Sequence, residues 1–169
     1  MREIDKDLIF INMNFENKSE LFGFIADELK KRNYVTDTYE EAVNKREEKF
    51  PTGFQLKNIN IAMPHADPVN SRADKLVVLT LEKPVEFQNA EDKGMIGVNI
   101  VFGLVFHNRD KHIDYLMRLS NLIQDSGKLE KIKKSVTKDE IYDLLNKLDD
   151  EGGQTFEHED ETYDIDNYV

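Results

Sequence analysis

The chain has 169 residues, enough for one domain with a proper core, and 39% hydrophobic with 34% charged residues fits a soluble globular protein. Cysteine is absent, which excludes disulfides, thiol nucleophiles and cysteine-based zinc or iron–sulfur sites. The formal charge of −11 is concentrated at one end: residues 149–169 hold nine Asp/Glu and no Lys or Arg, leaving −2 for residues 1–148 and no basic footprint for nucleic acid.

The compact run Leu8-Ile-Phe-Ile-Asn-Met13 reads as a first strand. Asn17 with Glu20, or Ser19 beside it, offers an N-cap for a helix of about four turns. Its apolar face is Leu21, Phe22, Ile25 and Leu29, and Lys30, Lys31 and Arg32 suit the negative end of its dipole. Asp37 with Glu40 makes a second capping pair, opening a helix through Tyr39, Ala42, Val43 and Arg46 that must end before Pro51 and Gly53.

Next, Ile59, Ile61 and Met63 alternate with Asn60 and Ala62 as a short strand, and Pro64, which cannot donate a ladder hydrogen bond, should stop it. His65 is thereby placed at the strand's mouth. A neutral imidazole there has one bare nitrogen for attack, while its other N–H can be fixed by a backbone carbonyl in a tight turn. Polar turn residues also occupy such positions.

Pro68 breaks the loop that follows. Leu76–Leu81 is a continuous β-rich run of the kind covered on both faces, closed by Lys83-Pro84, with Val85 and Phe87 extending a small edge piece. After the turn-rich Gln88–Gly94, Val98–Phe106 is a longer strand with Gly103 a candidate bulge. It delivers His107-Asn-Arg-Asp-Lys-His112 into a helix bearing Ile113, Leu116, Met117, Leu119 and Ile123. His112 should stand near the helix N-terminus, where free N–H groups and the dipole favour an anion. His107 and His112 are not at the i, i+4 spacing of a helical zinc pair, and no His-Glu-x-x-His occurs.

Gly127 then separates a short basic helix, Lys128–Lys134, and Thr137 with Glu140 caps a last helix with Ile141, Leu144, Leu145 and Leu148 inward. From Asp149 the pattern fails, and Gly152-Gly153 with the acidic run reads as a flexible tail in which Phe156, Tyr163, Ile165 and Tyr168 could dock on a partner or on the domain. The order of strand, two helices, three strands and three helices implies an α+β fold, an α/β/α three-layer sandwich with a small mixed sheet flanked by helices on both faces. The expected division is a domain over 1–148 and an acidic tail over 149–169.

Arg46-Glu-Glu-Lys-Phe-Pro-Thr-Gly53 followed by Ile61-Ala-Met-Pro-His-Ala-Asp67 resembles the active-site signature of the enzyme IIA components of the bacterial phosphoenolpyruvate-dependent sugar phosphotransferase system. The likeness is to the fructose, mannitol and galactitol type, and Phe50-Pro-Thr-Gly53 leans toward galactitol. It spans about residues 5–148. It implies a three-layer sandwich and a phosphocarrier in which His65 takes a phosphoryl group, on Nε2, from phospho-HPr and passes it to a cysteine of an enzyme IIB, with the membrane enzyme IIC engaged indirectly.

On that resemblance Arg46 faces the phosphohistidine and a second histidine lies beside it. His112, in His-Ile-Asp-Tyr-Leu, matches that place, and His107 is a rival. No cofactor or metal is implied. Neither a Walker nor a dinucleotide-binding glycine pattern occurs, so nothing points to a nucleotide donor. No apolar run approaches a membrane span and the N-terminus lacks a signal peptide's apolar core, so a cytoplasmic location is expected. Phe54, Met63 and Phe106 are candidates for an apolar rim around His65. Three other readings stay open: a regulatory IIA-like phosphoacceptor, a metal-dependent hydrolase using His65, Asp67, His107 and His112, and a non-catalytic interaction module.

Overall fold

The computed structural model describes residues 4–151, and of residues 111–112 and 147–151 the backbone alone. Five strands form one mixed sheet: β1 (Ile4–Met13), β2 (Gly53–Gln55), β3 (Asn60–Ala62), β4 (Lys75–Gln88) and β5 (Met95–Val105), in the spatial order β1-β4-β5-β3-β2. β1 runs parallel to β4 and β3 parallel to β5, while β4 pairs antiparallel with β5 and β2 with β3.

Side-chain alternation divides the core in two. Val77, Leu79 and Leu81 of β4, with Val101 and Val105 of β5, face α1 (Lys18–Lys31) and α2 (Tyr39–Lys49) through Leu21, Phe22, Ile25, Leu29, Tyr39 and Val43. Leu76 and Val78, with Ile100, Phe102 and Leu104, face α3 (Arg109–Ile123), α4 (Ser126–Lys134) and α5 (Lys138–Glu151) through Tyr115, Leu119, Leu122, Leu129, Ile132, Ile141 and Leu145. The three-layer sandwich with helices on both faces is therefore as expected. Among the described residues no helix is long and apolar enough to cross a membrane.

Several local expectations hold. Asn17 accepts from the Glu20 N–H at 2.9 Å, and Glu20 reaches back to the Glu16 N–H at 2.9 Å. Thr137 accepts from the Glu140 N–H at 3.2 Å at the start of α5. Leu144 is half-buried against the core, whereas the side chain of Leu148 lies outside the described residues.

Others do not. α2 is capped at Thr38, whose backbone is helical and whose hydroxyl donates to Asn70 Oδ1 at 2.7 Å, so the Asp37 and Glu40 pair does not form its start. Thr38 makes no side-chain bond to the helix's own N–H groups, its hydroxyl serving the loop at Asn70 in their place. Lys83-Pro84 does not close β4. The strand runs on to Gln88, because Pro84 sits in the register break between Thr80 and Val85 and beyond Leu81, the last residue of β4 paired with β1, so no ladder bond is forfeited there.

Gly103 pairs in register with Val77 and is not a bulge. A Cβ on it would lie 3.2 Å from Val77 Cβ and 3.6 Å from Ile25, so the glycine lets α1 approach the sheet. Gly127 lies inside α4, which is capped one residue earlier by Asp125. β2 adds a strand absent from the expected order. It is three residues long, too short for alternation to register. α5 continues to Glu151, and the residues of the acidic stretch beyond it, including Phe156, Tyr163, Ile165 and Tyr168, lie outside the described ones.

Candidate functional site

The sheet fixes His65 through its own backbone. β3 ends at Ala62, and Pro64 carries the chain to a single parallel bridge between His65 and Leu104, with Leu104 N–H donating to Pro64 O at 3.0 Å. The imidazole is 4% exposed. Its Nδ1 lies 3.0 Å from Met63 O, and Arg46 Nε–H donates to its Nε2 at 3.1 Å. A guanidinium nitrogen can only donate, so Nε2 is the acceptor, and Nδ1 carries the proton given to Met63 O. The ring is thus a neutral tautomer whose Nε2 lone pair faces a cation. Phe106, 1% exposed, packs edge-on against it with ring centroids 6.4 Å apart.

Arg46 sits in the last turn of α2, where a cation is favoured by about 0.3–1 kcal/mol, and from there it also reaches across to the mouth of β3. Its Nη1 stands 3.4 Å from Asp67 Oδ1, and its guanidinium carbon lies 5.4 Å from the centre of the Phe50 ring. Burial lowers the guanidinium's proton affinity, with Asp67 and Glu47 opposing that shift. An arginine stays charged at any such value.

His107 is exposed and turned to another loop. Its Nδ1 lies 2.9 Å from Ser71 O, and its N–H donates to Asp74 Oδ1 at 2.9 Å. The same Asp74 oxygen accepts from the Asn108 N–H at 3.1 Å, and Asn108 Oδ1 accepts from the Asp110 N–H at 2.9 Å. The N–H groups expected to be free at the start of α3 are therefore partly taken up by Asp74 and Asn108. His112 stands in the first turn of α3, and its side chain is outside the described residues.

Of the expected apolar rim, Met63 and Phe106 are core residues and Phe54 is half-buried. The exposed apolar side chains on the elements flanking the site are instead Phe50, Val69, Ile113 and Met117. Among the described residues no three of His, Cys, Asp and Glu gather as a metal site would require.

Two residues next to the site escaped sequence reasoning. Glu47 is 2% exposed and accepts at 2.8 Å from both the N–H and the hydroxyl of Thr52, which is itself buried. The signal was available: Tyr39, Val43 and Glu47 are spaced by four along α2, so an acid occupies the buried face of that helix. Gly53 is also explained, since a Cβ there would lie 2.6 Å from the backbone oxygen of Gln88.

Comparison with known proteins shows the family. The family model described as "Phosphoenolpyruvate-dependent sugar phosphotransferase system, EIIA 2" matches residues 3–148. The galactitol-specific EIIA component of the phosphotransferase system of Escherichia coli is 29% identical over 118 residues, covering 70% of this chain and 79% of that one.

Among solved structures, the nitrogen regulatory protein IIA-Ntr from Neisseria meningitidis superposes with a TM-score of 0.71 at 21% identity, covering 85% of this chain and 97% of that one, a likeness of fold. The complex of enzyme IIA and phosphorylated enzyme IIB for mannitol from Escherichia coli gives 0.67 at 25% identity, covering 83% and 95%. With a family match across 3–148, the chain belongs to the type 2 EIIA family of the phosphoenolpyruvate-dependent sugar phosphotransferase system and is a phosphotransferase, a phosphocarrier of that system.

Proposed function

We propose that His65 is the phosphoacceptor, that phospho-HPr loads it and that a cysteine of an enzyme IIB empties it. The observation that carries the reading is the pair of hydrogen bonds on the imidazole, Nδ1 to Met63 O and Arg46 Nε to Nε2. Nε2 holds the only lone pair able to attack, and the cation resting on it is where the incoming phosphoryl oxygens need positive charge.

In the first transfer the Nε2 lone pair forms a bond to phosphorus as the phosphorus–nitrogen bond to the carrier's histidine breaks, and that imidazole leaves with its electron pair. In the second, a thiolate forms the sulfur–phosphorus bond and Nε2 recovers its lone pair. The donor is already activated, so the protein supplies in-line positioning and charge neutralisation. Arg46 provides the planar fork of donors. His112, at the start of α3, is assigned as the companion histidine, and His107, tied to Ser71 and Asp74, is the weaker candidate.

Phe50, Val69, Ile113 and Met117 are assigned to a modest apolar docking rim, suited to partners that must leave after each transfer. The domain is assigned to residues 1–148, with 149–169 as an acidic appendage, and the setting is the cytoplasmic side of the membrane, where the sugar-moving enzyme IIC is met through IIB. Galactitol is the favoured sugar class, supported by Phe50-Pro-Thr-Gly53 and by the 29% identity to the galactitol-specific component.

The test is phosphoryl transfer from phosphoenolpyruvate through enzyme I and HPr, read by intact mass and acid lability on wild type and His65→Ala. One acid-labile phosphate that needs HPr and vanishes in the variant is expected. No phosphate on wild type, with active HPr in the same tube, overturns the reading. Adding galactitol-type or mannitol-type IIB then reads sugar class, and a phosphate that neither IIB removes points to a regulatory role.

A further inference from the structure

Adjacent residues of α2 point in different directions: Arg46 reaches the imidazole, and Glu47 turns into the interior, a costly place for a carboxylate. The phosphoryl transfer described above makes no use of Glu47. Both of its oxygens are spent on Thr52, one on the N–H and one on the hydroxyl. With its proton committed to Glu47, the hydroxyl presents lone pairs elsewhere, and Met63 N–H donates to Thr52 Oγ1 at 3.2 Å and to Thr52 O at 3.2 Å. Met63 is the residue whose carbonyl takes the Nδ1 proton of His65. On its far side Pro64 restricts Met63 to extended backbone, and Pro64 O is itself held by Leu104.

We propose that Glu47 is a positioning residue for His65, acting through Thr52 and Met63 to aim the carbonyl that keeps the proton on Nδ1 and the lone pair on Nε2. The proposal rests on the reading of His65 as phosphoacceptor. A buried acid on the helix that also bears Arg46 couples both ends of the imidazole to one rigid element. If the Met63 carbonyl rotates, the proton can move to Nε2, and the attacking lone pair then points into the protein. Partners that orient histidine in this way, best measured at metal sites, are worth about ten- to a hundredfold in activity.

The experiment compares wild type, Glu47→Gln, Thr52→Val and Thr52→Ser by nitrogen NMR of the His65 ring, by the rate of phosphoryl uptake from phospho-HPr, and by melting temperature. Expected are a mixture of His65 tautomers and an uptake rate lowered about tenfold or more in Glu47→Gln and Thr52→Val, with both properties retained in Thr52→Ser. An unchanged tautomer in both variants overturns the proposal whatever the melting temperature does, and so does a changed tautomer with unchanged uptake. If Glu47→Gln does not fold, Thr52→Val decides. If wild type takes up no phosphate from active HPr, the carrier reading fails by itself, and the ring nitrogens alone decide whether Glu47 positions His65.

Discussion

Arg46 Nε and His65 Nε2 stand 3.1 Å apart, and the bond between them occupies the lone pair that any attack by His65 must use. With His65 as the phosphoacceptor proposed above, the guanidinium has to yield that lone pair as a phosphoryl group arrives; its second contact is Nη1 to Asp67 Oδ1 at 3.4 Å. A lysine would keep the charge without the fork, so it could not serve His65 and Asp67 in the same pose. Arg46→Lys should slow phosphoryl uptake by about a hundredfold or more, the usual cost of losing an oriented donor to developing anionic charge, and should leave melting nearly unchanged. Rapid-quench measurement of phosphate incorporation from phospho-HPr checks this, and a rate within a few fold of wild type would show that charge without geometry suffices.

Gly53 begins β2 and pairs with Ala62 of β3, and its carbonyl oxygen accepts from Ala90 N–H at 2.8 Å. With a Cβ placed 2.6 Å from Gln88 O, backbone must yield. Gly53→Ala should destabilise the fold by about 1–3 kcal/mol, as overpacking at a rigid contact does, measured by urea unfolding. Because β2 and β3 carry Thr52 and Met63 toward the site, uptake of phosphate should fall along with stability.

The layers were legible because their signals are local and repeated. Leu76–Leu81 carries an apolar residue on both faces at nearly every step, which only a covered strand tolerates, and Asn17 caps the Glu20 N–H as its spacing allows, with Glu20 reaching back to the Glu16 N–H. What failed was decided by distant partners. Thr38 stands at the N-cap position of α2 with its hydroxyl given to Asn70, far along the chain, and not to the helix, and Pro84 is tolerated because β1 has already ended beside it. At the site, Pro64 and the short alternating run placed His65 at a strand mouth, which is where the structure has it. That Arg46 faces His65 was legible through the family resemblance and not through any local pattern, and Glu47 was legible only as an acid spaced by four from Tyr39 and Val43, its partner Thr52 lying beyond the helix.

Tyr115 packs edge-on against Phe106, which in turn lies against His65, yet its hydroxyl is buried with no hydrogen-bond partner among the described residues. An unsatisfied buried hydroxyl costs about 1–3 kcal/mol, and phenylalanine keeps the ring contact while removing it. Tyr115→Phe should therefore raise stability or leave it unchanged, with phosphoryl uptake as in wild type. Thermal unfolding decides the matter, and a clear loss of stability would mean that the hydroxyl meets a partner in solution.

Glu47 also gives stability a pH dependence whose sign follows from its surroundings. Burial pushes its carboxyl above the ordinary value of 4.5, with the two Thr52 donors pulling the other way and losing. Between that ordinary value, which applies to the unfolded chain, and the raised folded value, the native protein holds a proton that the unfolded chain has released. Glu47's contribution to stability is then fully present below 4.5 and declines as pH rises through the window, by at most about 1.4 kcal/mol per pH unit. Glutamine does not titrate. The unfolding free energy of wild type minus that of Glu47→Gln, followed in urea from pH 4 upward, should fall with pH until the folded carboxyl has ionised and then level off. A difference that stays flat would place Glu47 at the same proton affinity in both states, and one that rises would mean that the Thr52 hydrogen bonds outweigh burial.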